Sequence, residues 1–272
     1  LGGDGFQLYQ PDMNARAEER LSLESSLRKA LGLGQFALQF QPIVETATRR
    51  TVGFEALLRW HHPEKGLLMP KDFIELAEVT GVILDVGPWV LREACREAAT
   101  WESDGPALSI AVNLSARQFH DQSLVQQVAD TLAVTGLDPR RLELEITESL
   151  AMQNPGATGA TLQALRALGV RLSIDDFGTG YSSLSYLKRF PVDILKVDRS
   201  FVRDIVRVQD ATIAATIVAM ARTLGLRVVA EGVEEESQLE VLRQLDCDFA
   251  QGHLFGMPLW PERLRTSLET VP

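Results

Sequence analysis

Residues 37–58 read ALQFQPIV-ETATRR-TVGFEALL: two apolar, strand-like runs joined only by residues 45–50. A parallel crossover needs about a dozen residues or more, so so short a link predicts an antiparallel hairpin. Downstream the pattern changes. Short apolar or β-branched runs at 108–114 (LSIAVNL), 142–147 (LELEIT), 170–175 (VRLSID), 193–197 (DILKV), 226–231 (LRVVAE) and 248–251 (DFAQ) alternate with longer helical stretches. Those stretches cover 71–79, 88–101, 121–134, 157–168, 209–224 and 235–245.

Strands that alternate with helices imply an α/β class with a mostly parallel sheet. Eight such runs in one domain of this length favour a closed barrel over a doubly wound open sheet. The expectation is a modified TIM (β/α)8 barrel with an antiparallel first strand.

The remaining stretches set the context. Residues 5–9 alternate like the last edge strand of something upstream, and Gln10-Pro11-Asp12 breaks that run. From 18 to 31, Leu21, Leu23, Leu27, Ala30 and Leu31 lie on one helix face. We divide the chain into a remnant of a preceding domain (1–17), a linker helix (18–32) and the main domain (33–272). The 272 residues are 45% hydrophobic and carry a formal charge of −10, from 37 acids against 27 bases. An acidic chain lacks the basic footprint that DNA or RNA polymers require. It still admits a small phosphorylated substrate where metal ions neutralise the site. Cys95 and Cys247 are expected as buried, reduced thiols. No apolar run is long enough for a membrane span and no signal peptide opens the chain, so a cytoplasmic location is expected.

In barrels of this kind, chemistry sits at the carboxyl ends of the strands. Those ends carry Gln41, Glu55 with Arg59, Asn113, Glu145, Asp175 with Asp176, Lys196 with Asp198, Glu231 and Gln251. One such residue would more often be a helix cap or a solvated loop acid. Every strand contributing one makes that reading improbable. Alternation puts Glu55, Leu57 and Arg59 on one side of their strand, and Lys196 with Asp198 on one side of theirs. Asp175 and Asp176 are adjacent, so both face the cavity only if Asp176 already belongs to the loop containing Gly178 and Gly180. Six carboxylates against Arg59 and Lys196 leave four negative charges, the charge of two divalent cations. Oxygen donors without Cys or His at a strand end favour Mg²⁺ or Mn²⁺. Such ion pairs serve phosphoester cleavage. His61, His62 and His120 are expected on loops, solvated.

These motifs resemble the EAL domain family. The resemblance rests on Gln41-Pro42-Ile43, Glu55-Ala56-Leu57 with Arg59, Asn113-Leu114-Ser115, Glu145-Ile146-Thr147-Glu148, Asp175-Asp176-Phe177-Gly178-Thr179-Gly180-Tyr181-Ser182-Ser183, Lys196-Val197-Asp198, Glu231-Gly232-Val233-Glu234 and Gln251-Gly252. Each motif is weak alone; in this order they are specific, over about residues 24–268. The resemblance implies a cyclic-di-GMP phosphodiesterase yielding linear pGpG through two ions, Mg²⁺ or Mn²⁺, and inhibited by Ca²⁺. It implies that Glu55, Asn113, Glu145 and Asp175 hold one ion. Asp175 would bridge to a second ion held by Asp176 and Glu231, with Asp198 nearby. Lys196 would hold the attacking water or a phosphate oxygen, and Glu231 is also cast as a general base.

Gln41, Leu58, Arg59, Glu234 and Gln251 would shape the nucleotide site, Arg59 by gripping a phosphate. Glu148 resembles the acid that anchors the Asp-Asp-Phe-Gly loop, whose order links the metal site to dimerisation, so a homodimer is expected. Residues 14–17 and the following helix resemble a GGDEF–EAL junction, which implies the C-terminal part of a longer protein with GGDEF or sensory domains upstream. The competing reading is a catalytically silent cyclic-di-GMP receptor or docking module. The intact ligand set favours catalysis.

Overall fold

The short link does close a hairpin. Strand β1 (Phe36–Glu45) runs antiparallel to β2 (Thr51–His62), with Gln41 opposite Glu55. In the computed structural model, which describes residues 11–101, 107–180, 184–205 and 211–269, β2 extends past the barrel rim. There it pairs with β3 (Gly66–Leu68), three residues too short to leave a signal in the sequence. The other strands are β4 (Ser109–Asn113), β5 (Leu142–Thr147), β6 (Arg171–Phe177), β7 (Ile194–Val197), β8 (Arg227–Ala230) and β9 (Phe249–Gln251). Neighbours β2, β4, β5, β6, β7, β8 and β9 pair in parallel, and β9 pairs antiparallel with β1 to close the ring. The result is an eight-stranded barrel with β1 alone reversed.

Closure depends on small side chains where strands crowd. A Cβ on Gly53 would lie 2.2 Å from Ser109 Oγ on β4, so that position admits only hydrogen. The main core fills the space between barrel and helices, around Phe40, Trp60, Phe73, Leu144 and Leu162. Inside the barrel the apolar content shrinks to a separate cluster of Ile43, Ala111, Ile194 and Val229. Polar groups occupy the lumen above and below that layer.

The helical expectations hold with shifted ends. The helix Ile83–Ala99 starts before Pro88, which sits inside it, and Pro155–Ala167 starts on a proline. Short helices at Ala116–Phe119, Glu148–Gln153, Leu184–Leu187 and Arg199–Val202, and the longer Pro261–Glu269, escaped the periodicity reading because most span about one turn. The first helix covers Pro11–Ala30, so Pro11 opens a helix where the sequence reading took it as a breaker. Proline suits a helix start, because its fixed φ is helical and its missing N–H would have no partner there. The edge strand expected over residues 5–9, residues 181–183 of the glycine-rich motif and the first residues of the 209–224 helix lie outside the described residues.

His62 is a second correction. It ends β2, is buried, and its Nδ1 accepts from the amides of Glu64 and Lys65, both at 3.2 Å. His61 is also on β2, exposed and stacked on Trp260, while His120 is exposed as expected. Among the described residues no helix is long and apolar enough to cross a membrane.

Both cysteines are free and buried, and burial pushes each thiol up to about 12. Only the thiolate attacks, so at pH 8 roughly one thiol in 10⁴ would be reactive. The folded protein is therefore expected to resist a thiol-specific reagent at pH 8, with both cysteines reacting in denaturant. Labelling of the native protein within minutes would contradict this placement.

Candidate functional site

The carboxyl ends of the parallel strands converge on one side chain. Lys196 on β7 is 1% exposed, and its Nζ lies 2.7 Å from Glu231, 2.8 Å from Glu145, 3.6 Å from Glu55 and 3.7 Å from Asp175. Those acids come from four different strands or strand ends, so closure of the barrel alone brings them together. Burial by itself would lower the lysine's pKa, but Asp175, Glu145, Glu231 and Glu55 raise it well above the ordinary value, so the ammonium stays charged.

One ammonium among so many acids leaves excess negative charge. Burial lifts the carboxyl of Glu145 well above its usual range, with Glu55, Asp175 and Glu143 adding to the shift against Lys196. Burial likewise raises Glu231 to about 8, opposed by Lys196 and reinforced by Asp175 and Glu55. Asp176 is raised by burial and by Asp175 and Asp198. Further cations would relieve this crowding.

The amides arrange Glu55. Asn113 Nδ2 donates to its Oε1 at 2.7 Å, and Gln251 Nε2 donates to its Oε2 at 2.6 Å. Gln251 Nε2 also reaches Gln41 Oε1 at 3.1 Å, and Gln41 Nε2 donates to the Gly256 carbonyl at 3.4 Å. Two buried oxygens here lack a hydrogen-bond partner among the described residues, Glu145 Oε1 and Gln251 Oε1. A buried acceptor without a donor is costly, and a cation would satisfy Glu145 Oε1. The donor set is all oxygen, and Asp175, Asp176 and Glu231 each place one carboxylate oxygen within 4.8 Å of the others. These residues fit hard divalent ions.

The adjacent aspartates come together by a route the sequence reading missed. Asp176 lies within β6, not on the loop, but its φ is 54° and the pairing with β7 is irregular between Ile174 and Phe177. This bulge cancels the alternation, so the two carboxylates reach one group of acids. Glu148 touches the following turn. Glu148 Oε2 accepts from the amides of Gly178 at 2.8 Å and Gly180 at 3.4 Å. Gly178 has φ 99° and a Cβ there would sit 2.8 Å from the Phe201 ring, so glycine is required.

Other expected residues are placed differently. Asp198 turns its carboxylate to the Ser200 amide at 3.0 Å, capping the helix Arg199–Val202, and stands outside the three-acid group. Leu58 packs into the main core with Ala56 and Trp60, on the opposite side of β2 from Glu55. Arg59 is buried, its Nε held by Gln39 at 2.7 Å and its Nη1 by the Leu58 carbonyl at 2.8 Å. Glu234 is exposed at the rim, 4.0 Å from His253. Sequence reasoning missed Gln39, and also Gln238, which is buried. Gln238 accepts from the amides of Glu234 and Glu235 at 2.7 and 3.0 Å and donates to the Arg203 carbonyl at 2.9 Å, fixing the turn after Glu231. Its place three residues after Glu235 at a helix start was the available signal.

A family model described as "EAL domain" matches residues 24–258. The chain is 48% identical over 269 residues to the bifunctional diguanylate cyclase/cyclic di-GMP phosphodiesterase MucR of Pseudomonas aeruginosa, with 98% of this chain covered. It is 48% identical over 260 residues to the cyclic di-GMP phosphodiesterase NbdA of the same organism, with 95% covered. The chain spans only 39% of MucR and 33% of NbdA. Among solved structures, a MucR phosphodiesterase in complex with c-di-GMP superposes with a TM-score of 0.86 at 48% identity, covering 89% of this chain and 99% of that one. The family-model match over most of the chain, the barrel with its reversed strand and the carboxylate cage together establish that this chain belongs to the EAL domain family, whose members are metal-dependent.

Proposed function

We propose that the chain hydrolyses cyclic-di-GMP to linear pGpG with two divalent ions, Mg²⁺ or Mn²⁺. The observation that carries this reading is the buried Glu145 Oε1, without a hydrogen-bond partner among the described residues, inside a cage of acids that Lys196 underneutralises. Glu55, Asn113, Glu145 and Asp175 would hold one ion, and Asp175, Asp176 and Glu231 the other. When bound, such ions neutralise the phosphodiester and make water a nucleophile at neutral pH.

The chain's own groups do the rest. Lys196 Nζ, held between Glu145 and Glu231, donates to the attacking water or to a phosphate oxygen. Glu231 is placed to take the proton from that water. The amides of Asn113 and Gln251 hold Glu55 in one orientation, and Gln41 accepts from Gln251, which limits the motion of the first site. Glu148 keeps the 177–180 turn closed, and with it Asp175 and Asp176 in register. Gln41, Gln251 and Glu234 shape the nucleotide site, and Arg59, held by Gln39, borders it. The side chain of Leu58 belongs to the core, leaving only its backbone to that site. Asp198 acts by capping a helix beside the second ion.

The same proposal makes the chain the C-terminal part of a longer, cytoplasmic, homodimeric GGDEF–EAL protein; its span of 39% of the bifunctional MucR supports the longer protein.

Turnover of cyclic-di-GMP with Mg²⁺, Mn²⁺, Ca²⁺ and EDTA tests the proposal. Activity is expected with Mg²⁺ or Mn²⁺ and is lost in EDTA. Ca²⁺ should bind but support little turnover, because its longer bonds and looser shell position water poorly. Binding of cyclic-di-GMP without turnover in any metal would make this chain a receptor. Equal rates with Ca²⁺ and Mg²⁺ would contradict a geometrically strict site.

A further inference from the structure

The reversed strand β1 carries two glutamines on one face, Gln39 and Gln41, two residues apart. Gln41 belongs to the chain of amides that ends on Glu55. Gln39 serves a different side chain of β2. It stands opposite Leu57 in the antiparallel pairing, which makes Arg59 its diagonal neighbour, within reach of a long side chain. Its Oε1 accepts from Arg59 Nε at 2.7 Å, while Arg59 Nη1 donates to the Leu58 carbonyl at 2.8 Å.

Both of these acceptors are neutral. Arg59 is buried, and among the described residues no carboxylate pairs with its guanidinium. Burial lowers its pKa, and Glu55 opposes that shift through space. The guanidinium nevertheless stays charged, because arginine does not lose its proton in proteins. A buried cation bonded only to neutral oxygens is a charge still to be compensated, and an anion compensates it.

The two bonds also fix the plane of the fork. They leave Nη2 without a hydrogen-bond partner among the described residues, and that nitrogen is not sealed from solvent. Arg59 lies on the same side of β2 as Glu55, so the free edge of the fork belongs to the site's face of the strand. A planar fork held at one edge and open at the other suits a phosphate oxygen.

We infer that Gln39 is the positioning residue for Arg59: it aims the guanidinium at a phosphate of the nucleotide and, being neutral, leaves the whole charge for that phosphate. The inference rests on the cyclic-di-GMP reading above. Gln39→Glu would hold Arg59 at least as firmly but would spend its charge. The amide, rather than the length of the side chain, is therefore the feature that matters.

Two variants of the full chain separate aim from charge. Gln39→Met keeps the length and removes the acceptor, whereas Gln39→Glu keeps the acceptor and adds a charge. Cyclic-di-GMP binding is measured by calorimetry in EDTA and in Ca²⁺, turnover in Mg²⁺, and folding by the thermal midpoint. Gln39→Met is expected to weaken binding and raise KM about fivefold, the effect of one neutral hydrogen bond, with kcat little changed. Gln39→Glu is expected to weaken binding by about tenfold or more while its thermal midpoint stays at or above that of wild type. A purely structural role would not part affinity from stability in this way. In an Arg59→Ala background, Gln39→Met should cost no further affinity, because the two side chains act as a unit.

Unchanged affinity in both Gln39 variants would overturn the inference. So would wild-type affinity in Gln39→Glu, or losses that simply add to that of Arg59→Ala. A wild-type chain that binds no cyclic-di-GMP in either condition would overturn the underlying reading, and this inference with it. Binding by wild type alongside unaffected variants would overturn the inference alone.

Discussion

Asp175→Asn is expected to lower cyclic-di-GMP turnover by about a thousandfold or more, a loss of about 4 kcal/mol of transition-state stabilisation. The substitution keeps the shape and removes one charge. That charge matters doubly, because Asp175 lies 3.7 Å from Lys196 and also shares an oxygen cluster with Asp176 and Glu231. It is therefore the residue common to both proposed ion positions. Glu55→Ala should do comparable damage by a different route. It deprives Asn113 and Gln251 of the acceptor that orders them, so the first ion position loses its charge and its scaffold together. Single-turnover measurements at saturating Mg²⁺ check both. Near-normal rates in either variant would mean that the metal site is wrongly placed.

Lys196→Met is expected to destabilise the metal-free protein by roughly 3–5 kcal/mol, the usual consequence of removing one partner from a buried ion pair. Methionine nearly fills the volume, so the loss is electrostatic. Glu145 and Glu231 are left without their only close cation among the described residues, next to Glu55 and Asp175. Saturating Mg²⁺ should recover much of this stability, since bound ions would neutralise the same acids, yet turnover should stay low because the donor to water or phosphate is gone. Urea denaturation in EDTA and in Mg²⁺ separates the two effects. Equal stability of variant and wild type in EDTA would show that Lys196 does not compensate the cage.

The fold was legible mainly through chain lengths and periodicity. The 45–50 link is too short for a crossover, and that alone predicted the reversal of β1. Strand ends pointed to the site because a barrel collects residues that a linear sequence scatters from Glu55 to Gln251. What escaped is what tertiary context decides. The bulge at Asp176 shows no propensity signal in the sequence, yet it is what brings two neighbouring acids to one place. His62 reads as a loop residue because β3, which extends the sheet beside it, spans only Gly66–Leu68. Leu58 follows the family motif but alternates to the core side of β2. Asp198 shares its parity with Lys196, but the helix beginning at Arg199 claims its carboxylate. Pro11 could equally open a helix or end a strand, and only the helix through Ala30 decides between them.

Diffraction from crystals grown with Mn²⁺ and cyclic-di-GMP, collected at the manganese edge, tests the central claim most directly. Two anomalous peaks are predicted, one against Glu55, Asn113, Glu145 and Asp175, the other against Asp175, Asp176 and Glu231, with the phosphodiester beside both. A single peak, or manganese away from Asp175, would contradict it.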